Sequence, residues 1–176
     1  MEEDTLNWEK LKNLVHYVCD KAENPSELGS IKLNKVLWYS DVINYLITGR
    51  PMTGETYVKR QFGPVPRHVL KVVNELVNEG KVARGRADHF GHIKNEYIAI
   101  QPSDKSQFSG EEVSVIDEAY EHVCINHTAR SISDETHNVI WKIAEMGEVM
   151  PYAAVFAASI GEIDDDDLAW AAQKLQ

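Results

Sequence analysis

Apolar residues recur at three- and four-residue intervals from Leu6 to Ala22, through Trp8, Leu11, Leu14, Val15, Val18 and Cys19, and predict an amphipathic helix. Asn24-Pro25-Ser26 interrupts the pattern. A second helix, placed after Ser30, carries Ile31, Leu33, Val36, Leu37, Ile43, Leu46 and Ile47 and stops at Gly49 and Pro51; its apolar content marks it as central. From Arg50 to Pro66 the helical period is lost among Gly54, Gly63, Pro64 and Pro66, which predicts a structured loop with one short extended piece. A third helix runs from Arg67 to Asn78 with Gly80 as its stop. Two short strands, Val82 to Gly85 and Glu96 to Ile100, then flank a polar turn near Asp88 and Gly91, forming a hairpin.

Ser109 and Glu112 have the spacing of a capping box ahead of Val113, Ile116, Ala119, Tyr120 and Val123. Ser131 or Ser133 is expected to cap a helix carrying Val139 to Ile143, and Pro151 suits the first turn of another through Val155 and Phe156. Asp164 to Asp167 open a last, acidic helix, 161–176, expected to pack on a main domain spanning 1–160. The expected fold is therefore mainly α, about six helices with one small β-hairpin. Its helix, glycine, strand, turn, strand order is also that of a winged helix-turn-helix, although a long Gly/Pro loop replaces the tight turn such a unit requires.

At 176 residues, with 43% hydrophobic and 26% charged, the chain suits one domain with its own core. Cys19 and Cys124 are too few for a disulfide framework or a thiolate zinc site, and on apolar helix faces they read as packing residues. The acidic start, Met1-Glu2-Glu3-Asp4, and the lack of any apolar run near 20 residues predict a cytoplasmic protein with no membrane partner. The net charge of −10 disfavours a surface built wholly for phosphate backbones. Lys59 to Lys94, however, hold eight Lys/Arg against three Asp/Glu, a candidate basic patch on an acidic body.

Catalytic signatures are sparse. The chain has neither a Gly-x-Ser-x-Gly elbow nor a Gly-x-x-x-x-Gly-Lys loop, and Gly63-Pro64-Val65-Pro66 lacks the free N–H groups of a phosphate cradle. Asp88, His89 and His92 read as an exposed polar turn. His122 and His127, five residues apart on one expected helix, should diverge too far to chelate. Asp134, Glu135 and His137 fall in an expected first helical turn, where acids are ordinary dipole partners. No catalysis, metal or cofactor is therefore expected. By contrast, Lys35 and Asp41 within an otherwise apolar helix need pairing or snorkelling, and Pro64 and Pro66 stiffen the segment holding Phe62 and Val65.

Ile31-Lys32-Leu33-Asn34-Lys35-Val36-Leu37-Trp38-Tyr39-Ser40-Asp41, then Thr48-Gly49-Arg50-Pro51, Tyr57 and Gly63-Pro64-Val65-Pro66, follow one another in the order of the Panacea family, the SocA-like antitoxin domain also found in phage-associated proteins, which the chain resembles. The pattern departs at Trp38, where the family usually has the helix Tyr, and at Lys59-Arg60-Gln61, where an Ala/Lys-Trp-rich run is common. His137 followed by Trp141 is similar to a later His and Trp of the family, and the resemblance covers about Leu11 to Ala157.

The resemblance implies a compact, mainly helical antitoxin of a bacterial or phage toxin-antitoxin system, binding a protein toxin encoded by an adjacent gene. It makes Lys35, Tyr39, Asp41, Arg50, Tyr57, Phe62, Gly63, Pro64, Val65, Pro66, His137 and Trp141 the motif or partner-binding residues. Two alternatives stand beside it: a regulator that sets Arg84 and Arg86 on an operator DNA, and an adaptor that delivers its partner to a protease.

Overall fold

The computed structural model describes residues 5–158. Six α-helices and five strands alternate within them: α1 (Trp8–Lys21), α2 (Gly29–Thr48), β1 (Tyr57–Arg60), β2 (Gly63–Pro66), α3 (Val69–Asn78), β3 (Val82–His89), β4 (His92–Ala99), α4 (Gly110–Tyr120), α5 (Ala129–Thr136), α6 (Val139–Ile143) and β5 (Val149–Met150). The architecture is mixed α/β, with two small antiparallel sheets, and this corrects the expectation of a mainly helical domain with one hairpin. The acidic helix expected at 161–176 lies outside the described residues. Among the described residues no helix is long and apolar enough to cross a membrane.

Helix α2 is the central element, packed against α1, α4, α5, β2 and β4. It ends where Gly49 takes the left-handed conformation, φ +77°, and returns its N–H to the Tyr45 carbonyl. Its fully buried Leu33, Val36, Leu37 and Val42 meet Leu11, Leu14, Val15 and Val18 of α1, Val72, Val73 and Leu76 of α3, and Ile116 and Ala119 of α4 in one core. Burying side chains of this size stabilises the fold by about 1.5–3 kcal/mol each, which is why α2 tolerates so little polar surface.

The loop expected after α2 holds two strands. Tyr57 to Arg60 pair with Pro66 to Gly63 in reverse, so β1–β2 is a second hairpin. Proline belongs on a sheet edge because it has no N–H to donate, and in the order β2-β1-β5 the strand with Pro64 and Pro66 is an edge. The opposite edge is two residues long: Val149–Met150 pairs with Val58 and Tyr57 from about ninety positions away. The β3–β4 hairpin is present but longer than expected, turning at Phe90 (φ +52°) and Gly91 (φ +83°), with the Gly91 N–H on Asp88 Oδ1 at 2.7 Å. Because β1–β2 separates α2 from α3, and α3 packs on α1, α2 and α3 do not form a helix–tight turn–helix unit.

Beyond the hairpin, Ser109 and Glu112 form the expected capping box of α4. The helix then widens into one π-helical turn, Glu121–Ile125. The single helix expected from Ser131 or Ser133 through Ile143 is two: Thr128 caps α5 and Asn138 caps α6. A cap needs a side chain placed to accept the N–H three residues on, and Thr128 and Asn138 do so for Ser131 and Trp141. After β5 the chain makes a short 3-10 helix, Tyr152–Ala158.

Candidate functional site

The residues singled out by the sequence gather around the β1–β2 hairpin, on the side where α2, α5 and α6 meet it. Asp41, fully buried in α2, accepts three hydrogen bonds: from Thr53 N–H at 2.6 Å, from the Thr53 hydroxyl at 2.7 Å and from Tyr57 O–H at 2.7 Å. Burial pushes its carboxyl up to about 6, against the pull of these donors. The Tyr57 ring is buried too and meets Trp38 edge-to-face at 5.0 Å, with Tyr152 stacked on Trp38 at 6.3 Å. Trp38 is thus a core residue. Tyr152 donates its hydroxyl hydrogen to the Glu55 carbonyl oxygen, while the buried Glu55 carboxylate accepts from His68 N–H at 3.1 Å and lies 2.9 Å from His68 Nδ1. The segment between α2 and β1 is thereby held at Thr53 and at Glu55.

Lys35 lies six residues, or about one and two-thirds turns, earlier on α2. Among the described residues its ammonium is buried without a carboxylate, donating to the Phe62 carbonyl at 2.5 Å and the Pro64 carbonyl at 3.5 Å. Desolvation holds its pKa down to about 7. Lys35 and Asp41 therefore neither pair with each other nor snorkel; each satisfies backbone or hydroxyl groups of the segment following α2. Gly63 sits against the lysine with φ +109°, and a Cβ built there would overlap both Thr136 Oγ1 and Lys35 Nζ. Only a glycine lets the turn approach this closely.

His137 and Trp141 close the far side. Their rings stack at 3.7 Å and 11°, Trp141 Nε1–H donates to the Arg60 carbonyl at 3.1 Å, and Lys59 Nζ lies 4.1 Å from the Trp141 ring centroid while donating to the Ala144 carbonyl at 2.8 Å. Burial and the neighbouring Lys35 charge pull His137 below its ordinary pKa, and among the described residues its Nε2 is buried without a hydrogen-bond partner.

Of the twelve motif residues, Lys35, Asp41, Tyr57, Gly63, Pro64 and Pro66 are buried, and Tyr39, Val65, His137 and Trp141 are partly buried. Arg50 and Phe62 are exposed, Phe62 at 47%. Arg84 and Arg86 are exposed on β3. The run from Lys59 to Lys94 does not form one basic patch: Lys59 is buried over Trp141, and the Lys94 ammonium donates to the Ser26 carbonyl.

Two further readings of the sequence are corrected. Asp134, Glu135 and His137 stand at the end of α5, with His137 as its C-cap, so the helix dipole disfavours rather than welcomes the two acids. His122 and His127 converge, because the π turn rotates His122 and the chain leaves the helix at Asn126; both rings contact the Glu135 carboxylate, at 2.6 and 3.1 Å. Tyr39 donates to the same carboxylate. Burial opposes ionisation of Glu135, but the Tyr39 and His122 hydrogen bonds outweigh it and hold the carboxyl below its ordinary value.

His89 and His92 are paired across the β3–β4 hairpin, but Asp88 does not join them: neighbouring strand residues face opposite ways, and Asp88 is committed to Gly91. Cys19 and Cys124 are buried, and desolvation raises their thiols to about 12 and about 11, as packing residues require. Thr53, Glu55 and Thr136 had no signal in the sequence, being ordinary loop and helix residues until the chain folds.

Residues 33–142 match the family model for antitoxin SocA-like, Panacea domain, a span that includes the α2 motif from Leu33, both hairpins and the His137–Trp141 pair. No curated protein and no solved structure matches the chain.

Proposed function

The chain belongs to the SocA-like antitoxin family with the Panacea domain, and we propose that it neutralises a cognate bacterial or phage toxin by binding it directly, without catalysis of its own. The family match carries this reading, and the geometry at the tip of the β1–β2 hairpin supports it. Phe62 stands at the tip of a hairpin whose carbonyl groups are held from inside by Lys35, so its ring is offered from a backbone already fixed. An aromatic anchor on a preorganised frame loses little entropy on binding, which is how a few residues come to dominate an interface. Exposed Ile143 and Met146 follow Trp141 in the adjoining segment and extend the apolar character of this end.

Blocking or locking a toxin's active surface requires only such a face, and the −10 charge of the chain would speed encounter with a basic partner. The experiment is co-expression with each adjacent open reading frame that is toxic alone, scoring growth rescue and then co-purification of a complex. Rescue with a stable complex is the expected result; no toxic neighbour, or rescue without any complex, overturns direct neutralisation.

Exposed Arg84 and Arg86 on β3 favour one second reading, a regulator of its own operator. Phosphate contacts make such binding fall steeply with salt. A mobility shift on the upstream DNA that disappears in Arg84→Ala/Arg86→Ala would establish it, and no shift at low salt would remove it.

A further inference from the structure

We propose that His122, His127 and Glu135 form a binding site for a divalent first-row metal ion, zinc foremost, with Tyr39 and Ser131 orienting its ligands. The three residues come from different segments, the π turn, the loop after it and the last turn of α5, yet one ligand atom from each lies within 4.8 Å of the others. His122 Nε2 is 2.6 Å from Glu135 Oε1 and His127 Nε2 is 3.1 Å from Oε2. Ligand atoms held at 2.0–2.1 Å on a tetrahedral zinc are about 3.3 Å apart, so His127 has to shift by about 0.2 Å and His122 by about 0.7 Å from the carboxylate, with the widest pair of donors drawing in by up to about 1.5 Å. Imidazole and carboxylate are the nitrogen and oxygen donors that zinc accepts, and three protein ligands leave a fourth position to water or to a ligand atom from outside.

Three features show the ligands already oriented. Ser131 Oγ accepts the Thr128 N–H at 3.0 Å and lies 3.3 Å from the Thr128 carbonyl, to which its own proton goes. His127 Nδ1 lies 2.9 Å from that oxygen and its Nε2 faces the Glu135 carboxylate, so the ring is held at both nitrogens. Tyr39 O–H fixes the Glu135 carboxylate from α2, the outer contact that metal-binding groups characteristically keep. Lastly, Glu135 is an anion at the negative end of a helix, and among the described residues its ion-pair partners are these two imidazoles. A dication compensates both the carboxylate and the dipole.

The π turn explains how the site forms. Asn126 N–H bonds the Glu121 carbonyl five residues back, at 3.0 Å, and this widened turn aims His122 toward α5 where a regular helix would aim it away. Single π-helical turns are frequent at functional sites because they re-aim one side chain without ending the helix.

The test uses the full chain, untagged, stripped with chelator and equilibrated with Zn²⁺, with bound metal counted by mass spectrometry and the visible spectrum of the Co²⁺ form recorded. One zinc per chain and a rise in Tm with zinc are expected. His127→Ala and Glu135→Gln should each weaken binding at least tenfold, Tyr39→Phe and Ser131→Ala about tenfold, and His89→Ala/His92→Ala should leave it unchanged. The ligand side chains are about a quarter to a third exposed, and circular dichroism of each variant separates lost binding from lost folding. Zinc uptake equal in wild type, His127→Ala and Glu135→Gln overturns the site, as does a wild type whose Tm zinc leaves unmoved, the cluster then being proton-bridged ion pairs only.

Discussion

Lys35 and Phe62 are joined by a hydrogen bond from the buried ammonium of one to the carbonyl oxygen of the other, at 2.5 Å, while the Phe62 ring stands 47% exposed. The same residue is thus anchored from within and displayed without. Two roles that a family motif can serve, building the fold and meeting a partner, are here divided between the backbone and the side chain of one position.

Phe62→Ala should therefore leave stability within about 1 kcal/mol of wild type, since a half-exposed ring has little packing to lose. Loss of an anchor at the centre of an interface costs about 2 kcal/mol or more, a Kd rise of at least about thirtyfold. Urea unfolding and titration calorimetry with the cognate toxin measure the two. A variant that unfolds, or one that binds as wild type does, contradicts the division of roles.

Removing the acceptor at the centre of the buried cluster should be far more damaging. Asp41→Ala leaves the Tyr57 hydroxyl and both Thr53 donors without their partner, an expected loss of about 3–5 kcal/mol at the cost of unsatisfied buried groups. Tyr57→Phe removes one donor and should lose about 1 kcal/mol. In the double variant Asp41→Ala/Tyr57→Phe the losses should fall short of additivity, the sign of a direct interaction.

Gly63→Ala tests the close approach of the hairpin to α2 and α5. The methyl group would overlap Thr136 Oγ1 and Lys35 Nζ at a φ of +109° that side chains rarely adopt, so a destabilisation of about 2–4 kcal/mol is expected. Gly80→Ala is the control: it shares a positive φ of +69° but has open space around it, and should lose only about 1 kcal/mol. Equal losses in the two variants would remove the steric argument.

The depressed pKa of Lys35 fixes a direction of pH dependence. The folded state releases its proton near 7, whereas the unfolded chain holds it to 10.5. Between those values the unfolded state binds more protons, so the contribution of Lys35 to stability rises with pH across that window and is lost as pH falls through 7. Wild type should gain on Lys35→Met by more than about 1 kcal/mol between pH 7 and pH 9.5, read from paired urea midpoints. A constant difference across that range would show that the buried amine keeps its proton.

The sequence by itself determined whatever depends on neighbours along the chain. Helix α1, the stop of α2 at Gly49, the capping box at Ser109 and Glu112, and the turn near Asp88 and Gly91 are set by period, cap and φ preference within a few residues. The motif order was legible too, because its members are rare in combination. Tertiary structure alone decided the rest. Val149 and Met150 become a strand only against β1, since two residues carry no period of their own.

Lys35 and Asp41 stand out in the sequence as charges in an apolar helix, but their protonation follows from burial and from donors and acceptors that arrive from Thr53, Tyr57, Phe62 and Pro64. Regular helical spacing separates His122 from His127; a π turn, a loop and the end of α5 bring them onto one carboxylate. Local sequence fixes backbone preference, but the chemistry of a polar side chain is set by dielectric and by distance to groups remote in the chain, and neither exists until the core has formed.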